Sequence, residues 1–301
     1  EIIKITPFEM ILIIRDFMFQ YIGGQSTYDL FETVSIIMTA ILCLFFIKEK
    51  TTKLGLFSKH IVFFVSKRFP RIGNILKYLL AFVEWLILTA ITVVIGLNNI
   101  TFGDMVGTGA NYFGTLFSFI ILGFVFSVVI ASNPMEQMDL ATCLLPFRLI
   151  FLKIACFGQG CCWGIPWKYG LYNYHDDHPG NQVPVQAIEA LLALAIFIFL
   201  LIYRKKAKTG TVFPMYIILY SATRFPVEFL SAAHEKIAGP FNTYHFLCIA
   251  GVAIGFIMLI IVNFFGDKMT AFFEKPHRKL NEEIAKYEEE KSIKFAKKTK
   301  R

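Results

Sequence analysis

Charged residues are scarce in this chain. Asp, Glu, Lys and Arg make up 17% of its 301 residues and hydrophobic types 56%, where a soluble domain carries about 25% charge. Disorder and an ordinary water-soluble fold are both excluded. Cysteine is sparse too, with six residues and no CxxC pair, which removes zinc-ribbon and thioredoxin-like frameworks. No internal repeat is present, which makes a repeat-built transporter unattractive. Basic residues exceed acidic ones by eight, but runs of about 20 apolar residues favour a membrane over nucleic acid as the partner of that surplus.

Seven stretches are long and apolar enough to cross roughly 30 Å of hydrocarbon: 30–47, 77–97, 112–131, 139–157, 186–203, 211–230 and 244–265. Residues 8–22 are shorter and are broken by Arg15 and Asp16, so they read as an interfacial helix. The expected architecture is an all-α membrane protein with seven transmembrane helices. Its parts are an N-terminal interfacial segment (1–27), a seven-helix domain (28–266) and a charged tail (267–301). The chain opens on Glu1 and shows no separate signal peptide, so a trimmed natural start is expected.

Basic residues orient the spans. Lys48, Lys50, Lys53, Lys59, Lys67, Arg68, Arg71 and Lys77 crowd the connection after the first span, and Arg204, Lys205, Lys206 and Lys208 follow the fifth. Segment 98–111 has no Lys or Arg, while 158–185 and 231–243 hold only Lys168 and Lys236. The positive-inside rule then puts the N-terminus outside and the C-terminus in the cytoplasm. The tail holds 11 Lys and Arg with seven Asp and Glu. It reads as a solvated helix, with attraction to anionic headgroups as its functional alternative.

Cys43, Cys143 and Cys248 fall within predicted spans as ordinary filling. Cys156, Cys161 and Cys162 cluster around a Gly-rich turn. Packing of that turn, with or without a disulfide, is the leading reading, ahead of thiol redox chemistry and a metal site. The nearest metal partners, His175 and His178, lack finger spacing, and neither metal nor cofactor is assigned.

The informative charges lie inside the spans, where each costs very roughly 2.5–3.5 kcal/mol unless it faces protein or water. Tyr220, Arg224 and Glu228 are spaced four apart and form one stripe of a helix. Gln186 and Glu189 open the fifth span behind Pro184, and Arg148 and Lys153 lie on the fourth. Cations and amides converging from three helices suit a phosphate, which Arg grips with two N–H groups and Lys attracts as a point charge. A phosphate embedded in a membrane belongs to a lipid, so an anionic phospholipid is the expected partner, with no nucleic acid.

Three segments in order, KIACFGQGCCWG at 153–164, PVQAIE at 184–189 and YSATRFPVEF at 220–229, resemble the prolipoprotein diacylglyceryl transferase family. The resemblance implies seven spans in a bacterial plasma membrane. It also implies transfer of the diacylglyceryl group of phosphatidylglycerol to the lipobox cysteine of a prolipoprotein signal peptide, releasing glycerol phosphate. On that basis Arg224, Glu228 and Lys153 are expected to be catalytic, and Tyr220, Gln186, Glu189, Gly160 and Arg148 to bind substrate.

The departures are equally specific. Lys153 stands where the family has a second Arg, and Phe113 where members carry a His that activates the thiol. Ser231 replaces an Arg closing the third motif, Cys156 and Cys161 replace Asn and Glu, and His245 stands where a Gln is expected. With Phe113 in place, the thiol needs another base, Glu228 or an outer-connection His, or else a different acceptor. The alternatives to a transferase are a non-catalytic phospholipid-binding protein of the same fold and a thiol redox protein.

Overall fold

The computed structural model describes residues 24–97, 112–173 and 179–299. The expected interfacial helix at 8–22, the connection 98–111 and the His175–His178 pair lie outside the described residues. The chain is mostly helical. Four described helical stretches are long and apolar enough to cross a membrane: Tyr112–Val129, Pro134–Gln159, Val185–Tyr203 and Thr243–Ile293. Large apolar side chains such as Leu191, Ile198, Ile202, Ile257, Ile260 and Phe264 stand exposed on two of them, a surface that suits lipid rather than water.

The all-α expectation needs correction. Two small antiparallel hairpins occupy connections expected to be irregular: β1 (Pro166–Asn173) with β2 (Gly180–Gln182), and β3 (Lys236–Ala238) with β4 (Phe241–Asn242). Both follow from local chemistry that span counting ignores. Gly180 (φ 133°) and Gly239 (φ 58°) take backbone angles L side chains rarely adopt; the first opens β2 and the second stands at the β3–β4 reversal.

By contacts the chain divides into two units. The first holds residues 1–42 and 141–260. Within it, α6 (Leu144–Gln159) packs on α7 (Val185–Tyr203), and α7 on α8 (Val212–Glu228). The expected fourth span begins earlier than predicted, because α5 (Pro134–Thr142) precedes α6 with a break at Cys143. Pro146 explains the break, since it lacks an N–H and would crowd the carbonyl four residues back. Pro226 lies inside α8, as the sequence requires.

The second unit, residues 43–140 and 261–301, includes the end of α1 (Gly24–Lys50), α2 (Leu56–Arg68), α3 (Pro70–Leu97) and α4 (Tyr112–Val129). Its centre is a buried polar knot missed in the sequence. Lys50, counted above among the loop charges, is fully buried; its Nζ donates to Glu84 Oε2 at 2.6 Å and Gln137 Oε1 at 2.7 Å. Glu84 Oε1 also accepts the Gly55 N–H at 3.1 Å. Gly55 must be glycine here, because a Cβ would lie 2.5 Å from the Ile130 carbonyl oxygen. The long helix α9 (Thr243–Thr299) carries both the last apolar stretch and the charged tail.

Removing one partner of a buried pair strands the other charge, so Glu84→Ala should cost about 3–5 kcal/mol. Thermal unfolding in detergent should show that loss, and Lys50→Met in the same chain should recover most of it.

Candidate phosphate site

Three helices of the first unit meet at one carboxylate. Glu189, 5% exposed on the first turns of α7, pairs through Oε2 with Lys153 Nζ of α6 at 2.6 Å and through Oε1 with Arg224 of α8. The other arm of Arg224 pairs with Glu228, one turn further along α8. Arg224 and Glu228 are themselves 7% and 1% exposed. The i, i+4 stripe read from the sequence is therefore real, and its guanidinium bridges two carboxylates on different helices. Tyr220 is buried one turn earlier and stacks on Tyr216 at 6.1 Å. A cleft between the helices is lined by Leu149, Glu189, Ile196, Tyr220, Thr223 and Arg224.

Glu228 continues the chain of contacts. Its Oε1 accepts from Asn242 Nδ2 at 2.7 Å and lies 2.6 Å from His234 Nδ1. His234 packs against the Tyr244 ring at 4.1 Å between centroids and keeps 22% of its side chain exposed. Asn242 in turn caps α9. Its Oδ1 accepts the N–H groups of Tyr244 and His245 at 3.0 and 3.3 Å, and its own N–H donates to His245 Nδ1 at 3.1 Å. This is a capping box with His in the position where Gln also serves, which accounts for His245 where Gln is expected.

The remaining expected residues are placed in two ways. Gln186 and Gly160 belong to a neighbouring recess with Asn173 and Gln182. There Gln186 donates to the Cys161 carbonyl, and Asn173 donates to the Gly160 carbonyl at 3.0 Å. Gly160 ends α6 with φ 79°, a left-handed cap that suits glycine. Arg148 stands half-buried on α6, five residues before Lys153. Ser231 pairs through its backbone with Gly164, and its Oγ lies 3.5 Å from His234 Nδ1. Phe113 is buried in α4 of the other unit.

His234 and Asn242 carry no signal in the helix periodicity, because both stand in a connection. The only clue was that an outer-connection His was needed.

An acidic hub bridging an Arg and a Lys within apolar helices fits a membrane protein whose charges inside the spans pair with one another. The family model for prolipoprotein diacylglyceryl transferase matches residues 19–261, and the chain belongs to that family. A phosphatidylglycerol–prolipoprotein diacylglyceryl transferase of Clostridium tetani is 29% identical over 138 residues, covering 44% of this chain and 55% of that protein. One from Campylobacter curvus is 30% identical over 184 residues, covering 58% and 61%. A third, from Clostridium perfringens and carrying the numeral 2 in its name, is 33% identical over 137 residues, covering 44% and 53%. The chain spans little more than half the length of these curated relatives.

Without Glu189, the half-buried Lys153 would lose its carboxylate and Arg224 would keep only Glu228. Glu189→Ala should cost about 3–5 kcal/mol, and Lys153→Met should cost much less in that background than in the native chain. A double-mutant cycle by thermal unfolding measures this coupling.

Proposed function

We propose that this protein is a multi-pass transferase of the bacterial plasma membrane, with seven spans, an outer N-terminus and a cytoplasmic tail at 267–301. Its donor is phosphatidylglycerol, and its acceptor is the cysteine thiol of a prolipoprotein signal peptide. The observation that carries the reading is the Lys153–Glu189–Arg224–Glu228 chain of ion pairs, supported by the names of the relatives.

In this reading, Arg224 and Lys153 hold the phosphodiester, with Arg148 as a further substrate-binding cation on α6. Glu189 positions both, and Tyr220 shapes the wall beside the glycerol. The acceptor sulfur attacks the glycerol carbon that bears the phosphate. A carbon–sulfur bond forms, the carbon–oxygen bond breaks, and glycerol phosphate leaves with the electron pair. The two cations stabilise the charge that develops on the departing oxygen. Lys153 does this as a point charge, where an Arg would add a second fork.

The thiol proton goes to His234. Its Nδ1 is held by Glu228, which leaves Nε2 as the acceptor, the same division of labour as in an acid–His–nucleophile triad. His234 thus supplies the base that Phe113 does not. Gln186 and Gly160 in the adjoining recess offer polar groups to the acceptor peptide.

The test incubates purified protein with labelled phosphatidylglycerol and a lipobox peptide. Release of glycerol phosphate only with the peptide supports the transfer; lipid binding without release favours a non-catalytic lipid-binding protein. Arg224→Ala should lower turnover by about 10²–10³-fold or more while leaving the protein folded. His234→Gln should cost about 10²–10⁴-fold near neutral pH. That deficit should shrink as pH rises past about 8.5, where the peptide thiol ionises unaided. A pH-independent deficit would remove His234 from the role of base.

A further inference from the structure

The cysteine cluster is organised in a way that spacing alone does not reveal. The sulfurs of Cys156, Cys161 and Cys162 all lie within 4.8 Å of one another. They come together because the chain reverses sharply after α6. Gly160 takes φ 79°, and Cys162 takes φ 56°, a left-handed conformation that costs an L residue roughly 1–2 kcal/mol. The two left-handed residues fold Cys161 and Cys162 back over Cys156 on the last turn of α6, where the Cys161 thiol donates to the Cys156 carbonyl at 3.7 Å.

The turn is fastened from outside as well. Its carbonyls at 160 and 161 accept from Asn173 and Gln186. Downstream, the Ile165 N–H donates to the Leu230 carbonyl and the Ala232 N–H to the Trp163 carbonyl, at 2.9 and 3.0 Å. Cys161 and Cys162 are only half-buried, so neither is core filling. A disulfide would use two of the sulfurs and leave the third, whereas one cation uses all three.

We propose that Cys156, Cys161 and Cys162 form a binding site for a single thiophilic metal ion of the zinc(II) or copper(I) class, which fixes the turn beside the phosphate site. Zinc–sulfur bonds of about 2.3 Å put ligand sulfurs about 3.8 Å apart in a tetrahedron, so closing the cluster on an ion takes side-chain adjustments of about 1 Å or less. The charges agree. Three thiolates around a divalent ion carry −1, and Lys153 stands one turn before Cys156 on the same helix face. Binding the ion displaces the thiol protons. The site does not depend on the transfer reaction.

The experiment titrates the reduced, chelator-stripped full chain in detergent with Co²⁺ alone. A near-ultraviolet sulfur-to-cobalt charge-transfer band saturating at one equivalent is expected, with visible bands of tetrahedral shape that Zn²⁺ then abolishes. Cys161→Ser and Cys162→Ser should each weaken binding by about 100-fold or more, and Cys248→Ala should leave it unchanged. As a readout without variants, bound Zn²⁺ should protect these three cysteines, and no others, from alkylation mapped by mass spectrometry. Absence of the band in the native chain, a band that persists in both Ser variants, or equal alkylation with and without Zn²⁺ would each overturn the proposal.

Discussion

The Glu189 carboxylate is the constraint on which the first unit depends. It is the common partner of Lys153 from α6 and Arg224 from α8, so it joins three helices. A buried pair is weak evidence for stability in itself, because desolvation offsets much of its attraction. Its value here is geometric. Two cations that would repel each other are held on either side of one acid, where the phosphodiester of the proposed reaction would meet both. Preorganisation of that kind is what makes electrostatic stabilisation of a leaving anion effective.

From this centre the polar contacts run outward in one direction. Arg224 passes to Glu228, Glu228 to Asn242 and His234, and Asn242 to the first turn of α9. The capping box of a membrane helix therefore also fixes a residue of the site. That economy explains why His245 can stand in for Gln, since the position requires an acceptor for the Asn242 N–H rather than a particular side chain. The same reasoning gives His234 a defined orientation, held by Glu228 on one ring nitrogen and by the Tyr244 ring face.

Much of this was legible in the sequence, for a physical reason. Charges within apolar runs are expensive, so Lys153, Glu189, Arg224 and Glu228 had to find partners, and four-residue spacing placed three polar groups on one stripe. What the sequence hid followed different rules. Lys50 looked like a loop charge, because its distance from Glu84 along the chain conceals a 2.6 Å contact. The two hairpins were lost because their strands are short and their glycine turns carry no span-length signal. His234 and Asn242 lie in a connection, where helical periodicity has nothing to say. The three sulfurs were read as packing because Cys-x4-Cys-Cys matches no familiar ligand spacing, and only two left-handed residues bring them together.

The central claim is that a phospholipid phosphate occupies the cleft around Glu189 and Arg224. It is tested most directly by photocrosslinking with phosphatidylglycerol that carries the photoactive group on its headgroup, followed by peptide mapping. The account predicts label on α6, α7 and α8 near Leu149, Glu189, Tyr220 and Arg224, lost on competition with unlabelled phosphatidylglycerol and on Arg224→Ala substitution. Label confined to other helices, or unaffected by Arg224→Ala, would contradict it.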